Sequence, residues 1–213
     1  MRSCFLSPLL QETSHHSRPD FQRFVHENLN MASEGSTIHF DSFANIVNGL
    51  PRFSAQHHNG IDPTTRKALW DVPIATDQDV DDAIEAAQPA FESWSQVPFA
   101  ERQSFLQRFR ALMASYSDQL TQCLIKETGK PWGVAELEIH ASLEMIDWYI
   151  GLKEPVLPNF EDSEKEIQNI YEPLGIAVSI TPWNFPLLLP ISKAVPAILM
   201  GNVALLKPSP FTP

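Results

Sequence analysis

The chain has 213 residues, 43% apolar and 19% charged, the composition of a globular protein with room for one large domain or two small ones. Its 15 Lys and Arg face 26 Asp and Glu, a net charge of −11, so a basic surface that tracks nucleic acid or anionic membrane is excluded as the working expectation. Two cysteines, Cys4 and Cys123, lie far apart with no CxxC or Cys/His spacing, which argues against a disulfide scaffold and a structural zinc site and for a reducing, cytoplasmic setting.

The opening stretch MRSCFLSPLLQETSHHSRPD is interrupted by Ser and Pro and carries acids among its arginines, unlike a secretory signal or a transit peptide. Residues 1–38 are expected to be a disordered leader, with residues 1–30 an upstream extension or a start-site error ahead of Met31. The pairs His15-His16 and His57-His58 are read as lying in polar loops, where adjacent histidines seldom chelate one ion, and no metal site is expected. No apolar run reaches the roughly 20 residues that span a bilayer, because prolines and Lys193 break up the most hydrophobic stretch.

Residues 39–153 are expected to form a small β unit followed by helices. Asn48-Gly49 between FANIV and LPR signals a tight hairpin, Asp62-Pro63 marks a turn, and Ala68 to Ile74 reads as a strand. Thr76 and Asp79 form a capping-box-like pair for a helix with Val80, Ala83, Ile84, Ala87 and Phe91 at helical spacing, which Pro89 should bend or end. One long helix is predicted from Phe99 to Gly129, its stripe running from Phe105 and Leu106 through Phe109, Leu112 and Met113 to Leu120, Cys123 and Leu124. A third helix, from Val134 to Tyr149, should turn Leu137, His140, Leu143 or Glu144, and Trp148 to one face before Gly151 stops it. Residues 154–172 combine an acidic turn with the alternating run IQNIY, which suits an exposed hairpin arm at an interface.

From 173 to 213 the order is strand GIAVSI, loop TPWNFP, helix LLLPISKAVPAILM, strand VALLK and turn PSPFTP, the pattern of a parallel βαβ unit. Continuously apolar strands predict a sheet covered on both faces. Ligands of such sheets bind outside the carboxyl ends of the strands, so Thr181, Trp183 and Asn184 after the first strand and Lys207 and Ser209 after the second are the site candidates. Asn184, stiffened by Pro182 and Pro186, is either a fixed neutral donor suited to an oxyanion or a turn asparagine bonding its own backbone. Lys207 either meets a hydroxyl-rich or anionic ligand or snorkels at the sheet edge. Cys123 lies on an apolar helix stripe and Cys4 has no partnering base, so neither is read as a nucleophile.

The run TPWNFPLLLPISKAVPAILMGNVALLKPSPFTP closely resembles the Pro-Trp-Asn-Phe-Pro to Lys-Pro-Ser region of the aldehyde dehydrogenase superfamily. Similarity extends upstream through NG, IDPTT, the DQDVDDAIEAAQPAFESW helix, the ERQ helix and IKETGKP, covering roughly residues 40 to 213. The resemblance implies an incomplete Rossmann-type α/β fold with N-terminal helices and a hairpin oligomerisation arm. It also implies NAD(P)-dependent oxidation of an aldehyde to a carboxylic acid, with Asn184 donating to the thiohemiacetal oxyanion and Lys207 bonding the adenosine ribose. Thr181, Pro182 and Trp183 would line the dinucleotide cleft, with Ser209 near the ribose 2′ position. Many members place a glutamate after Lys-Pro-Ser where this chain has Pro210, which leaves NAD or NADP open. The family's next glycine-rich turn, general-base glutamate and nucleophilic cysteine come after the region matched here. The chain is therefore expected to be inactive alone and poorly soluble. It could instead be a non-catalytic fragment that binds nucleotide weakly or docks on a full-length relative, or a truncated gene product.

Overall fold

The computed structural model describes residues 43–213, which form an α/β unit of five helices and four two-stranded sheets. The expectations for the leader, Met31, Cys4 and His15-His16 lie outside the described residues.

Strands β1 (Asn45–Val47) and β2 (Leu50–Arg52) form the expected hairpin. Asn48 and Gly49 turn it with φ of 51° and 71°, the double left-handed conformation that an Asn-Gly pair accepts at little cost. Strand β3 (His57–Ile61) pairs antiparallel with β4 (Ala68–Pro73). His57 and His58 thus lie in a strand and not in a loop, because the backbone ladder to Pro73 and Val72 outweighs the polar composition on which the loop reading rested. Asp62 turns the connection by accepting from the Thr64 and Thr65 amides at 2.7 and 3.2 Å.

Helix α1 (Asp77–Trp94) has the full capping box, Thr76 and Asp79 exchanging side-chain to backbone bonds. It does not end at Pro89 but continues to Trp94. Pro89 and Glu85, whose carbonyl loses its partner, are both exposed, so water can take up the freed group. The far end is held by the Trp94 indole, which donates to the Ile198 carbonyl at 2.8 Å and meets Phe105 edge to face.

The single helix expected over 99–129 is two, α2 (Phe99–Ser115) and α3 (Ser117–Thr128). The hydroxyls of Ser115 and Ser117 donate to the Leu112 and Ala114 carbonyls at 2.6 and 2.8 Å, competing with the helical ladder at Tyr116. Gly129 closes α3 at φ 69°, as its position predicts.

Helix α4 (Trp132–Ile150) buries Ala135, Glu138, Ile139, Ser142 and Ile146, while Leu137, His140 and Trp148 face out. The residues grouped on one face by their spacing, Leu137, His140, Glu144 and Trp148, share the exposed side. Glu138 and Ser142, both polar, are held on the buried side by specific hydrogen bonds. Residues 160–161 and 166–167 pair as a short exposed hairpin, β5 and β6, within the expected arm.

Parallel strands β7 (Ile176–Ile180) and β8 (Val203–Lys207) flank helix α5 (Leu188–Leu199), giving the anticipated strand–helix–strand unit. The sheet is covered on one face only among the described residues: Val178, Ile180 and Leu206 are 65%, 75% and 51% exposed. Helices α1 and α5 occupy the other side. The main core joins α2, α4 and α5 through Phe99, Leu106, Met113, Ile146, Ile191, Val195 and Leu199. No helix of the described residues is long and apolar enough to cross a membrane.

Candidate functional site

The site region is built around the two ends of α5. A helix start needs partners for its free amides, yet α5 begins at Leu187 with no capping side chain of its own. The partner comes from α4. Glu138, 1% exposed, accepts from the Leu187 and Leu188 amides at 2.9 and 3.1 Å with one carboxylate oxygen. Its other oxygen is ion-paired with the Lys130 ammonium, which also sits 4.3 Å from the centre of the Phe185 ring. A carboxylate at a helix N-terminus is favoured by the aligned peptide dipoles.

The opposite end is held in a complementary way. Arg102, nearly buried, donates to the Leu199 carbonyl at 2.8 Å and to the Val97 carbonyl at 2.5 Å. Gly201, at φ 85°, lets the chain turn into β8 in a space where a Cβ would lie 2.9 Å from Pro173 Cγ and 3.1 Å from Arg102 Nη1. Asn202 then accepts from the Gly175 amide at 2.9 Å and donates to the Ala197 carbonyl at 3.1 Å, tying the start of β7 to the helix end.

At the carboxyl ends of the strands, the Thr181 amide donates to the Lys207 carbonyl at 3.1 Å, extending the parallel ladder one step into both loops. Thr181 and Ser209 are buried, whereas Pro182, Trp183, Asn184 and Lys207 are exposed. Among the described residues Asn184 makes no hydrogen bond. The Lys207 ammonium reaches, among the described residues, only the neighbouring Pro208 carbonyl, at 3.0 Å. The Ser209 hydroxyl accepts from the Phe211 amide at 3.2 Å, within a turn closed by the Thr212 amide on the Ser209 carbonyl at 3.1 Å.

A cleft of about 430 Å³ opens beside these loops, where Trp183, Phe211 and Thr212 face His58, Glu127 and Thr128. Trp183 is thereby joined to the turn after β8, while Asn184 and Lys207 stand outside this cleft. A larger cavity, about 800 Å³, lies at the arm and the start of α2, beside the amino ends of β7 and β8 and not their carboxyl ends. Burial pushes the Glu127 carboxyl in the cleft up to about 7. It also pushes the Cys123 thiol up to about 12, with Glu127 adding to the shift and Lys126 opposing it, so Cys123 is a packed thiol and not an activated one. No group of three or more His, Cys, Asp or Glu able to hold a metal ion occurs among the described residues.

Three site-shaping residues escaped the sequence reading: Glu138, Lys130 and Glu127. The signal for the first was available, since an apolar helix beginning FPLLLP with no Ser, Thr, Asp or Asn at its start must borrow a cap from elsewhere.

Fold and site together define a parallel α/β protein in which a rigid polar loop and a lysine-bearing turn meet at the carboxyl ends of two adjacent strands. The sequence profile of the aldehyde dehydrogenase family matches residues 52–213. The chain belongs to the aldehyde dehydrogenase family. It is 42% identical over 174 residues to aldehyde dehydrogenase LUC3 of Fusarium sp, covering 82% of this chain and 36% of that protein. It is 37% identical over 154 residues to the D-glyceraldehyde dehydrogenase (NADP(+)) of Picrophilus torridus, covering 71% and 31%. Among solved structures, a betaine aldehyde dehydrogenase variant of Staphylococcus aureus in complex with NAD+ superposes with a TM-score of 0.76 at 26% identity, over 83% of this chain and 37% of that one. An NADP-dependent enzyme of E. coli gives 0.72 at 28% identity, over 80% and 36%. The chain spans about a third of the length of these relatives.

Proposed function

We propose that this chain supplies the nucleotide-ribose and oxyanion half of an NAD(P)-dependent aldehyde oxidation, carried by one observation: Asn184 and Lys207 stand exposed at adjacent carboxyl ends of a parallel strand pair. The donor set suits such a nucleotide. Lys207 offers an ammonium whose only partner among the described residues is its own loop, which fits ribose hydroxyls, and Trp183 stands on the cleft wall. NAD(P), when bound, supplies the two-electron acceptor. Asn184 directs an uncharged amide to the oxygen that becomes negative as an aldehyde carbon turns tetrahedral, a donor already in place when charge develops. Thr181 and Pro182 shape the loop, and Ser209 shapes the turn on the ribose side. Pro210 brings no carboxylate against a 2′-phosphate, so both NAD and NADP are admitted. With Cys123 packed and unactivated, these residues hold ligands without forming a covalent adduct, and the polypeptide is proposed to act in the cytoplasm.

Titration of the purified chain with NADH and NADPH, followed by nicotinamide fluorescence, tests this reading. Saturable binding is expected, with Lys207→Ala weakening it roughly 10-fold and Asn184→Ala changing it less than about 3-fold. No aldehyde-dependent reduction of NAD(P) by this polypeptide is expected. Equal effects of the two substitutions, or no binding at all, would overturn the assignment.

A second role is supported by the arm, where Val156, Phe160, Ile170 and Tyr171 are exposed apolar side chains close together in sequence. We propose that it joins this chain to another copy or to a full-length relative. Light scattering after size exclusion should show concentration-dependent association that Ile170→Lys abolishes; a monomer at every concentration would contradict it.

A further inference from the structure

The loop that presents Asn184 is pinned at both ends, and between them Phe185 is held by its carbonyl on the Leu189 amide at 3.1 Å. At its start, the Thr181 amide is held on the Lys207 carbonyl at 3.1 Å. At its end, the Leu187 and Leu188 amides are held on a single oxygen of Glu138. Only residues 182–186 lie between, and two of those five are prolines with fixed φ. Lys130 supports the same segment from below, through its ion pair to Glu138 and its place beside the Phe185 ring. The Asn184 side chain makes no hydrogen bond of its own among the described residues, so its direction is set by the backbone alone.

We propose that Glu138, with Lys130 bound to it, is the positioning residue of this loop: its buried carboxylate caps α5 from a different helix and thereby fixes the backbone that aims Asn184. The functional part of this inference rests on the reading of Asn184 as the oxyanion donor. Its mechanical part does not. A side-chain donor placed on a short loop is useful in a transition state only if the loop does not reorganise when charge appears, and an external cap gives that rigidity without entering the site. Glu138 acts through Leu187 and Leu188, and it touches neither Asn184 nor the strand ends.

Hydrogen exchange by mass spectrometry on the whole chain, without nucleotide, tests the clamp. Glu138→Ala is expected to speed exchange in segment 181–189 roughly 30-fold, the loss of two bonds to a charged acceptor, while segment 77–94 keeps its wild-type rate. Glu138→Gln alone leaves the Lys130 ammonium half-buried without its carboxylate. Adding Lys130→Met removes that charge while the Gln carbonyl can still accept both amides. The double variant should therefore exchange within about 3-fold of wild type in segment 181–189. Should Glu138→Ala fail to fold, Glu138→Asp, which keeps the charge but falls one methylene short, is expected to loosen segment 181–189 roughly 10-fold with 77–94 unchanged.

Wild-type protection in the Ala or Asp variant would overturn the proposal. So would a double variant that exchanges as fast as Glu138→Ala, or exchange that rises equally in 77–94 and 181–189, the pattern of general destabilisation. Because no nucleotide enters the measurement, absence of NAD(P)H binding would sink the functional reading and leave the clamp standing.

Discussion

Ile146→Ala is expected to lower the unfolding free energy by about 3–4 kcal/mol, near the upper part of the range for removing a large aliphatic side chain from a closed core. Ile146 is 0% exposed and lies where α2, α4 and α5 meet, within the cluster that includes Leu106, Met113, Val195 and Leu199. The neighbours that would have to move to refill the space are themselves fixed by buried polar bonds. Leu199 ends a helix whose last carbonyls are held by Trp94 and Arg102, and α4 is held to the start of the same helix through Glu138. Collapse around the missing methylenes is therefore restricted, and most of the cavity cost should remain. For a folded unit of this size the corresponding fall in Tm is roughly 10 °C. Thermal unfolding followed by circular dichroism measures it, with Leu137→Ala on the exposed face of the same helix as the control. A loss below about 1 kcal/mol would show that the three helices do not share one core.

Local signals in the sequence were sufficient where the physics is local. The Asn-Gly hairpin, the Thr76–Asp79 capping box, Gly129 and the strand–helix–strand order at 175–207 depend on residues within a few positions of one another, and each is present in the structure. That residues 181–187 form a loop between strand and helix was legible in the same way, since Pro182 and Pro186 stand in it. What depends on a distant partner was not legible in this way. Glu138 is buried because amides 49 and 50 residues away need its carboxylate, and it carries Ser142 inward with it through the hydroxyl bond to its own carbonyl at 2.7 Å. Pro89 is tolerated because α1 is anchored beyond it by Trp94 on Ile198, 104 residues away. The break at Tyr116 was hidden for another reason: the apolar spacing continues across it, and only the hydroxyl pair of Ser115 and Ser117 marks the interruption.

Glu127→Gln is expected to stabilise the chain above neutral pH and to have little effect near pH 4. Glu127 lies on α3 in the wall of the cleft that Trp183 shares, and burial raises its carboxyl from 4.5 to about 7. The indole N–H of Trp70, which has no partner within ordinary hydrogen-bond geometry among the described residues, offsets only part of that cost. Between pH 4.5 and 7 the folded chain retains a proton that the unfolded chain has released, so this group's contribution to stability falls as pH rises and is fully lost above 7. A rise of that size corresponds to about 3 kcal/mol between the two protonation states. The neutral amide of Gln has no charge to desolvate. The difference in unfolding free energy between Glu127→Gln and wild type should therefore start near zero below pH 4.5 and grow to about 3 kcal/mol by pH 8. Urea titrations of both proteins at pH 4, 5, 6, 7 and 8 measure it, and contributions from the other titrating groups cancel in the difference. The same ionisation puts a negative charge on the cleft wall, so the affinity of wild type for the anionic NAD(P)H should weaken over the same interval while that of Glu127→Gln stays level. A stability difference that does not change with pH would mean that Glu127 is solvated in both states and has no part in the cleft's electrostatics.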